Sequence, residues 1–277
     1  MIVLPAVVLG VFGSLIGSFL NVVIFRVPAK RSIVSPPSAC GSCGHAIRWY
    51  DNIPIISWLV LRGKCRDCGA KISVRYPLVE AGGAIFFVVV ALWFVPPILA
   101  AGTTQDIVAQ LLVLVAFLYL ASISLALALI DLDTHTLPNV IVLPAYGVGA
   151  VLLGAAGILS ANWTGLLDAA IGAVALFLIY FIAWFISPKG MGFGDVKLAG
   201  VLGLFLGYVG LGPLFVGALA AFLLGGLFGV ALLISRRATR KTGVPFGPWM
   251  LGGAWLGILA GQAVASWYLH LFGLGGS

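Results

Sequence analysis

Apolar residues in this chain come in long unbroken runs rather than in the alternating or one-faced patterns of soluble strands and helices. Eight runs can be traced, at roughly residues 3–25, 79–100, 107–130, 139–160, 166–186, 196–211, 214–235 and 246–272. Each is close to the ~20 apolar residues a helix needs to cross the hydrocarbon of a bilayer. The pattern therefore predicts an all-α polytopic membrane protein with about eight transmembrane helices. The sixth run is short and Gly-rich, so its ends are soft. The first, VLPAVVLGVFGSLIGSFLNVVIF, is too long for the core of a signal peptide and lacks the preceding basic residues, and it reads as a retained helix. Its GVFGSLIGSF portion is a small-residue face suited to close helix packing.

One stretch can form a structure outside the bilayer: residues 27–78, rich in Pro, Gly, Ser and charge. The expected organisation is thus helix 1 at 1–25, an insert at 26–78 and a seven-helix membrane domain at 79–277. Composition agrees, with 62% hydrophobic and 8% charged residues. Charge adds orientation. Threading eight helices puts segments 26–78, 131–138, 187–195 and 236–245 on one side, and all 15 Lys and Arg fall in or beside them, among them Lys189, Lys197, Arg236, Arg237, Arg240 and Lys241. The positive-inside rule makes that side cytoplasmic. The excess of +7 is therefore a topology signal and carries no implication of nucleic-acid binding.

All four cysteines lie in the insert, as CGSC (Cys40, Cys43) and CRDC (Cys65, Cys68), with 21 residues between the pairs. Two C-x-x-C knuckles at nearly zinc-ribbon spacing present four thiolates to one tetrahedral site. A cytoplasmic compartment favours metal over disulfides, and a 50-residue insert with little core gains rigidity from a structural zinc. Four reduced structural thiols, or a redox pair, are the alternatives. His45 sits beside a knuckle as a bystander. Four protein ligands leave no open position, which argues against a zinc hydrolase, and the chain has no H-E-x-x-H.

Of eight acids, Asp51 and Asp67 belong to the insert, and Asp106 and Asp168 lie at the outer boundary, where solvation explains them. Glu80 follows RYPLV, where an ion pair with Arg75 competes with a functional contact. Asp131 and Asp133 close the third run, and Asp195 precedes the sixth, so the three share one cytoplasmic depth. Ionisable residues at such depths are functional candidates. Two carboxyls brought within hydrogen-bond distance cannot both ionise easily, which is the aspartic-protease arrangement of one base and one acid. Solvated helix termini, with Asp195 favouring a helix N-terminus, are the simpler alternative; a proton relay in a transporter is another. Gly190, Gly192 and Gly194 leave room for a peptide backbone to approach Asp195. Pro138 suits the first turn of the fourth helix, and Pro144 lies within that helix.

Taken together, GSFLNVVIFRVP, the C-x-x-C pairs flanking NIPIISWLVLRGKC, RYPLVE, LIDLDTHTLPN and GMGFGDVKLAG resemble the bacterial prepilin peptidases, also called type IV leader peptidases, of the GxGD class of membrane aspartic proteases. The resemblance covers nearly the whole chain. It implies an enzyme of the inner membrane that cleaves type IV prepilins and type II secretion pseudopilins at the cytoplasmic boundary. The family's catalytic aspartates correspond to Asp195, in G-F-G-D, and to Asp131, seven residues before Pro138; Asp133 falls at a position that looks variable. Many members also methylate the new N-terminus with S-adenosylmethionine, although no nucleotide-binding fingerprint is present here and no residue is assigned to that cofactor. The resemblance leaves a homodimer open.

Overall fold

In a computed structural model of the chain, residues 2–188, 191–235 and 245–273 are described. Lys189, Gly190, Arg236, Arg237, Arg240 and Lys241, which entered the charge and glycine arguments, lie outside them. The described residues are nearly all helical: α1 (Val3–Arg26), the short α2 (Ile56–Val60), α3 (Arg75–Ala100), α4 (Thr104–Thr134), α5 (Asn139–Leu159), α6 (Trp163–Ile186), α7 (Phe193–Val209), α8 (Leu211–Ile234) and α9 (Gly247–Leu271). Among them there is no β-strand beyond two isolated bridges in the insert. Six helices, α1, α3, α4, α5, α6 and α8, are long and apolar enough to cross a membrane. The protein is therefore a multi-pass membrane protein with an all-α fold.

Helix ends differ from the ends of the apolar runs for a simple reason. Hydropathy stops at the first polar residue, whereas the backbone ladder stops only where the chain turns. α4 continues four residues past the third run, taking Asp131 and Asp133 into its last turns. It ends at His135, whose left-handed φ of 53° breaks the ladder while its N–H still reaches the Asp131 carbonyl at 2.8 Å. α7 begins at Phe193, which places Asp195 in its first turn. Pro138 lies just outside α5 as its N-cap, and the fixed φ of −63° aims the chain into the helix. Pro144 is inside α5, as expected.

The chain divides into two compact units. The first comprises Met1–Ala101 and Phe117–Leu129, the second Gly102–Ala116 and Ile130–Ser277.

In the first unit, α1 packs on α3 through its small-residue face. A Cβ on Gly13 would stand 2.5 Å from the Gly83 carbonyl oxygen, and one on Gly17 would stand 2.7 Å from the Glu80 Cα. Lipid is as apolar as a side chain, so helices in a bilayer gain most from contacts that let backbones come this close. The 117–129 stretch of α4 covers α3 from another side, with Phe117 stacked on Phe94 at 4.3 Å. The insert between α1 and α3 carries α2.

In the second unit α7 is the hub. It packs against α5, α6, α8 and α9 and is buried along most of its length. That explains its composition: a 17-residue Gly-rich helix must let four neighbours approach. Gly172 of α6 and Gly203 of α7 lie backbone on backbone, and Gly207 meets the Asp168 carbonyl the same way. Gly200 opens the slot for Tyr146, whose hydroxyl donates to the Lys197 carbonyl at 2.7 Å and ties α5 to α7. α8 and α9 meet through Gly217, Gly253, Gly257 and Gly261, the last two seating against Pro213.

Gly203→Leu is expected to cost about 1–3 kcal/mol or more, because side-chain atoms would occupy space filled by α6 backbone. Gly226→Leu, at a site with nothing within 4 Å of a new Cβ, should leave stability unchanged. Thermal unfolding of the purified protein in one detergent compares the two.

Candidate active site and metal cluster

Asp195 sits in the first turn of α7 with a carboxylate oxygen accepting the Gly192 N–H at 3.0 Å, while its own N–H donates to the Gly192 carbonyl at 3.0 Å. The turn is thus closed on itself, and the side chain is only 8% exposed. Asp131, 4% exposed, has its Oδ2 accepting the N–H of Gly247, the first residue of α9, at 2.9 Å. Leu137 joins the two places. A Cβ on Gly194 would lie 3.1 Å from the Leu137 Cβ, and one on Gly247 would lie 3.2 Å from its Cδ2. The two carboxyl groups are near enough to interact electrostatically.

Asp133 is exposed. Residues two apart on a helix face different ways, so burying Asp131 turns Asp133 outward. The room left by Gly194 is filled by Leu137, and a Cβ on Gly192 would make only an ordinary 3.4 Å contact with the Asp195 carboxylate; Gly190 is outside the described residues.

Three further residues frame this place and were not singled out from sequence. Tyr180 is buried within electrostatic reach of Asp195 and packs against Phe222 at 5.3 Å and Phe246 at 6.2 Å. The Lys197 ammonium donates to the Asn139 side-chain oxygen and lies over the Phe193 ring at 5.3 Å. Gly247 carried a usable signal: a Gly-Pro pair opening the last apolar run, at the depth already assigned to the aspartates.

The insert holds Cys40, Cys43, Cys65 and Cys68 with their sulfurs within 4.8 Å of one another and no disulfide among them. The Cys40 and Cys68 sulfurs are 3.8 Å apart. Four ligands around a tetrahedral zinc, at about 2.3 Å each, stand about 3.8 Å from one another. The cluster is therefore dimensioned to hold a metal ion. Each knuckle is built alike. Cys40 N–H bonds the His45 carbonyl and Gly44 N–H the Cys40 carbonyl; Cys65 and Gly69 repeat both bonds with Ala70 and Cys65. Both turns need positive φ, 73° at Gly44 and 71° at Gly69, where a side chain would strain. The backbone N–H groups of Cys43 and Ser42, directed at the Cys40 sulfur, lower its thiol to about 6, whereas the Cys68 thiol is pushed up to about 12 despite the Ala70 N–H directed at it.

Charge ties the second knuckle to residues 48–51. Arg66, between Cys65 and Cys68, makes a forked pair with Asp51 at 2.6–3.1 Å and sits over the Tyr50 ring, and Asp67 takes Arg48 at 2.9 Å. The Arg66 bond holds the Asp51 carboxyl below the ordinary range.

Beside the cluster lies a cavity of about 520 Å³, lined by residues that include Asn21, Arg26, Ser57, Trp58, Tyr76 and Glu80. Glu80 is buried and accepts the Ile55 N–H at 2.7 Å. Ile55 has φ of 63°, a conformation that costs a β-branched residue about 1–3 kcal/mol. The Glu80 carboxylate, reaching from α3, thus pins a strained loop of the insert. The volume is that of a small-molecule site.

Two family models match the chain. The Bacterial Peptidase A24 N-terminal domain covers residues 11–94, which include the four cysteines and Glu80, and the Type IV leader peptidase family covers residues 118–234, which include Asp131 and Asp195. The chain belongs to the type IV leader peptidase family. It is 35% identical to the prepilin leader peptidase/N-methyltransferase of Aeromonas salmonicida strain A449, over 93% of this chain and 91% of that one. It is likewise 35% identical to the protein of that name from Pseudomonas aeruginosa, over 94% and 92%. The Myxococcus xanthus protein of that name is 41% identical over 73% of this chain and 56% of its own. No solved structure matches the chain.

Glu80→Leu is expected to leave the part-buried Ile55 N–H without its acceptor, at about 1 kcal/mol. Amide hydrogen exchange should report faster exchange at Ile55 and its neighbours, with α5–α9 unchanged.

Proposed function

We propose that the chain is a bifunctional prepilin leader peptidase and N-methyltransferase of the bacterial inner membrane. Two buried carboxylates held at helix ends near Leu137 are the observation that carries the peptidase reading. All eight long helices span the bilayer, residues 26–78 form the cytoplasmic insert, and 79–277 form the protease domain. The substrate is a type IV prepilin or a type II secretion pseudopilin. Its basic leader stays in the cytoplasm, and its apolar helix lies in the membrane, which brings the scissile bond to the depth of the aspartates.

Asp131 and Asp195 divide the acid and base roles. One takes a proton from water as its oxygen bonds to the scissile carbonyl carbon. The other donates a proton to the leaving nitrogen as the C–N bond breaks. In each, the oxygen already bonded to a glycine N–H is the anchored one, and the other faces the chemistry. Proton sharing belongs to the pair rather than to either member.

Cys40, Cys43, Cys65 and Cys68 hold a structural zinc. Four protein ligands complete its tetrahedron, so it stiffens the insert and takes no part in peptide cleavage. S-adenosylmethionine, when bound, supplies the methyl group. The cavity beside the cluster has the volume to receive it, with Glu80 and Asn21 as polar groups and Trp58 and Tyr76 as ring surfaces. No described residue of either site requires a second copy of the chain, so the reading holds for a monomer and a homodimer alike.

Asp131→Asn and Asp195→Asn should each lower prepilin cleavage at least about a thousandfold with expression intact, while Asp133→Asn stays close to wild type. Gel mobility and mass of a prepilin incubated with purified enzyme decide it; full activity in Asp131→Asn would overturn the assignment. Metal analysis should find about one zinc per chain, lost in Cys40→Ser. Zinc retained at full stoichiometry in that variant would remove the structural-zinc reading.

A further inference from the structure

We propose that Gly247 is a positioning residue for Asp131, acting both through its backbone N–H and through its lack of a side chain. The inference rests on the reading of Asp131 as a catalytic carboxylate.

The first turn of a helix carries N–H groups that its own ladder cannot satisfy. At the start of α9 the next residue is Pro248, which has no N–H, so Gly247 is the donor at this position. That N–H is directed at Asp131 Oδ2, 2.9 Å away in a buried setting. An amide at a helix start also carries the positive end of the helix dipole, so it suits a carboxylate acceptor. Asp195 is anchored by Gly192, within its own turn. Asp131 is anchored by a helix that begins 116 residues later. Its orientation therefore depends on where α9 starts.

Sterics make the position exacting. A Cβ on Gly247 would stand 2.8 Å from Asp131 Oδ2 and 3.3 Å from its Cγ, with Leu137 Cδ2 at 3.2 Å closing another side. Something must shift, and Leu137 has limited room because it already rests against Gly194, the neighbour of Asp195. Displacing the Asp131 carboxylate alters its geometry to a peptide and to Asp195, while leaving the surface that binds the rest of the substrate untouched. The loss should therefore fall on turnover rather than on binding.

The test compares Gly247→Ala with wild type, with Gly252→Ala as a control in the same helix, where a new Cβ would meet only Leu224 at 3.6 Å. In detergent, with purified full chains and a prepilin substrate, Gly247→Ala should lower kcat by about ten- to a hundredfold, with KM within about twofold. Gly252→Ala should match wild type. If Gly247→Ala is too unstable to assay, the readout is its Tm in a second background: removing the carboxylate with Asp131→Ala should relieve most of the Tm loss caused by Gly247→Ala. An unchanged kcat in Gly247→Ala, with Asp131→Asn inactive, would overturn the positioning role and leave Asp131 in place. An equal Tm loss in both backgrounds would also overturn it. Full activity in Asp131→Asn would instead remove the underlying reading of Asp131.

Discussion

Close approach of helix backbones is the constraint on which the remaining geometry rests. A bilayer offers helices little hydrophobic reason to associate, so attraction must come from contact surface, and glycine supplies it by removing the side chains that would hold backbones apart. The α1–α3, α6–α7 and α8–α9 pairs each meet this way. α7 shows the consequence most directly. It touches four other helices; its glycines at 203 and 207 admit the backbone of α6, and Gly200 admits Tyr146 of α5. Because α7 is held on so many sides, the turn carrying Asp195 is held with it, and because α9 is seated on α8, the amide of Gly247 reaches Asp131.

Buried carboxylates add a second demand. Each must find donors or carry a heavy desolvation cost. The fold meets it with backbone N–H groups rather than with basic side chains: Gly192 for Asp195, Gly247 for Asp131, Ile55 for Glu80. A backbone donor satisfies the carboxylate oxygen without bringing a second charge into the buried setting. The contrast lies in the insert, where acids pair with arginines, Asp51 with Arg66 and Asp67 with Arg48, and fasten the second knuckle to residues 48–51. Carboxylates in this one chain thus take opposite roles according to the partner each is offered.

How much of this could be read along the chain depended on whether the information is local. Helix positions were legible because run length and hydropathy are properties of adjacent residues, although the ends of α4 and α7 moved into polar sequence that hydropathy cannot follow. The four cysteines were legible as a cluster because the pairs lie in one short insert with a repeated turn. The acids stood out because so few exist. Their partners did not stand out, since a backbone N–H belongs to every residue except proline and announces nothing by residue type.

By itself, the sequence determined an all-α membrane protein, the side of the membrane its charges favour, a four-cysteine cluster, and a short list of acids at the ends of apolar runs. Only tertiary structure distinguished those acids by burial, with Asp131 buried and Asp133 exposed on opposite faces of one helix turn. Only tertiary structure brought Gly247 to Asp131 and placed Leu137 against both Gly194 and Gly247. The physical reason is the same throughout: hydrophobicity and ligand spacing act along the chain, whereas steric fit and hydrogen-bond direction exist only between segments that folding has brought together.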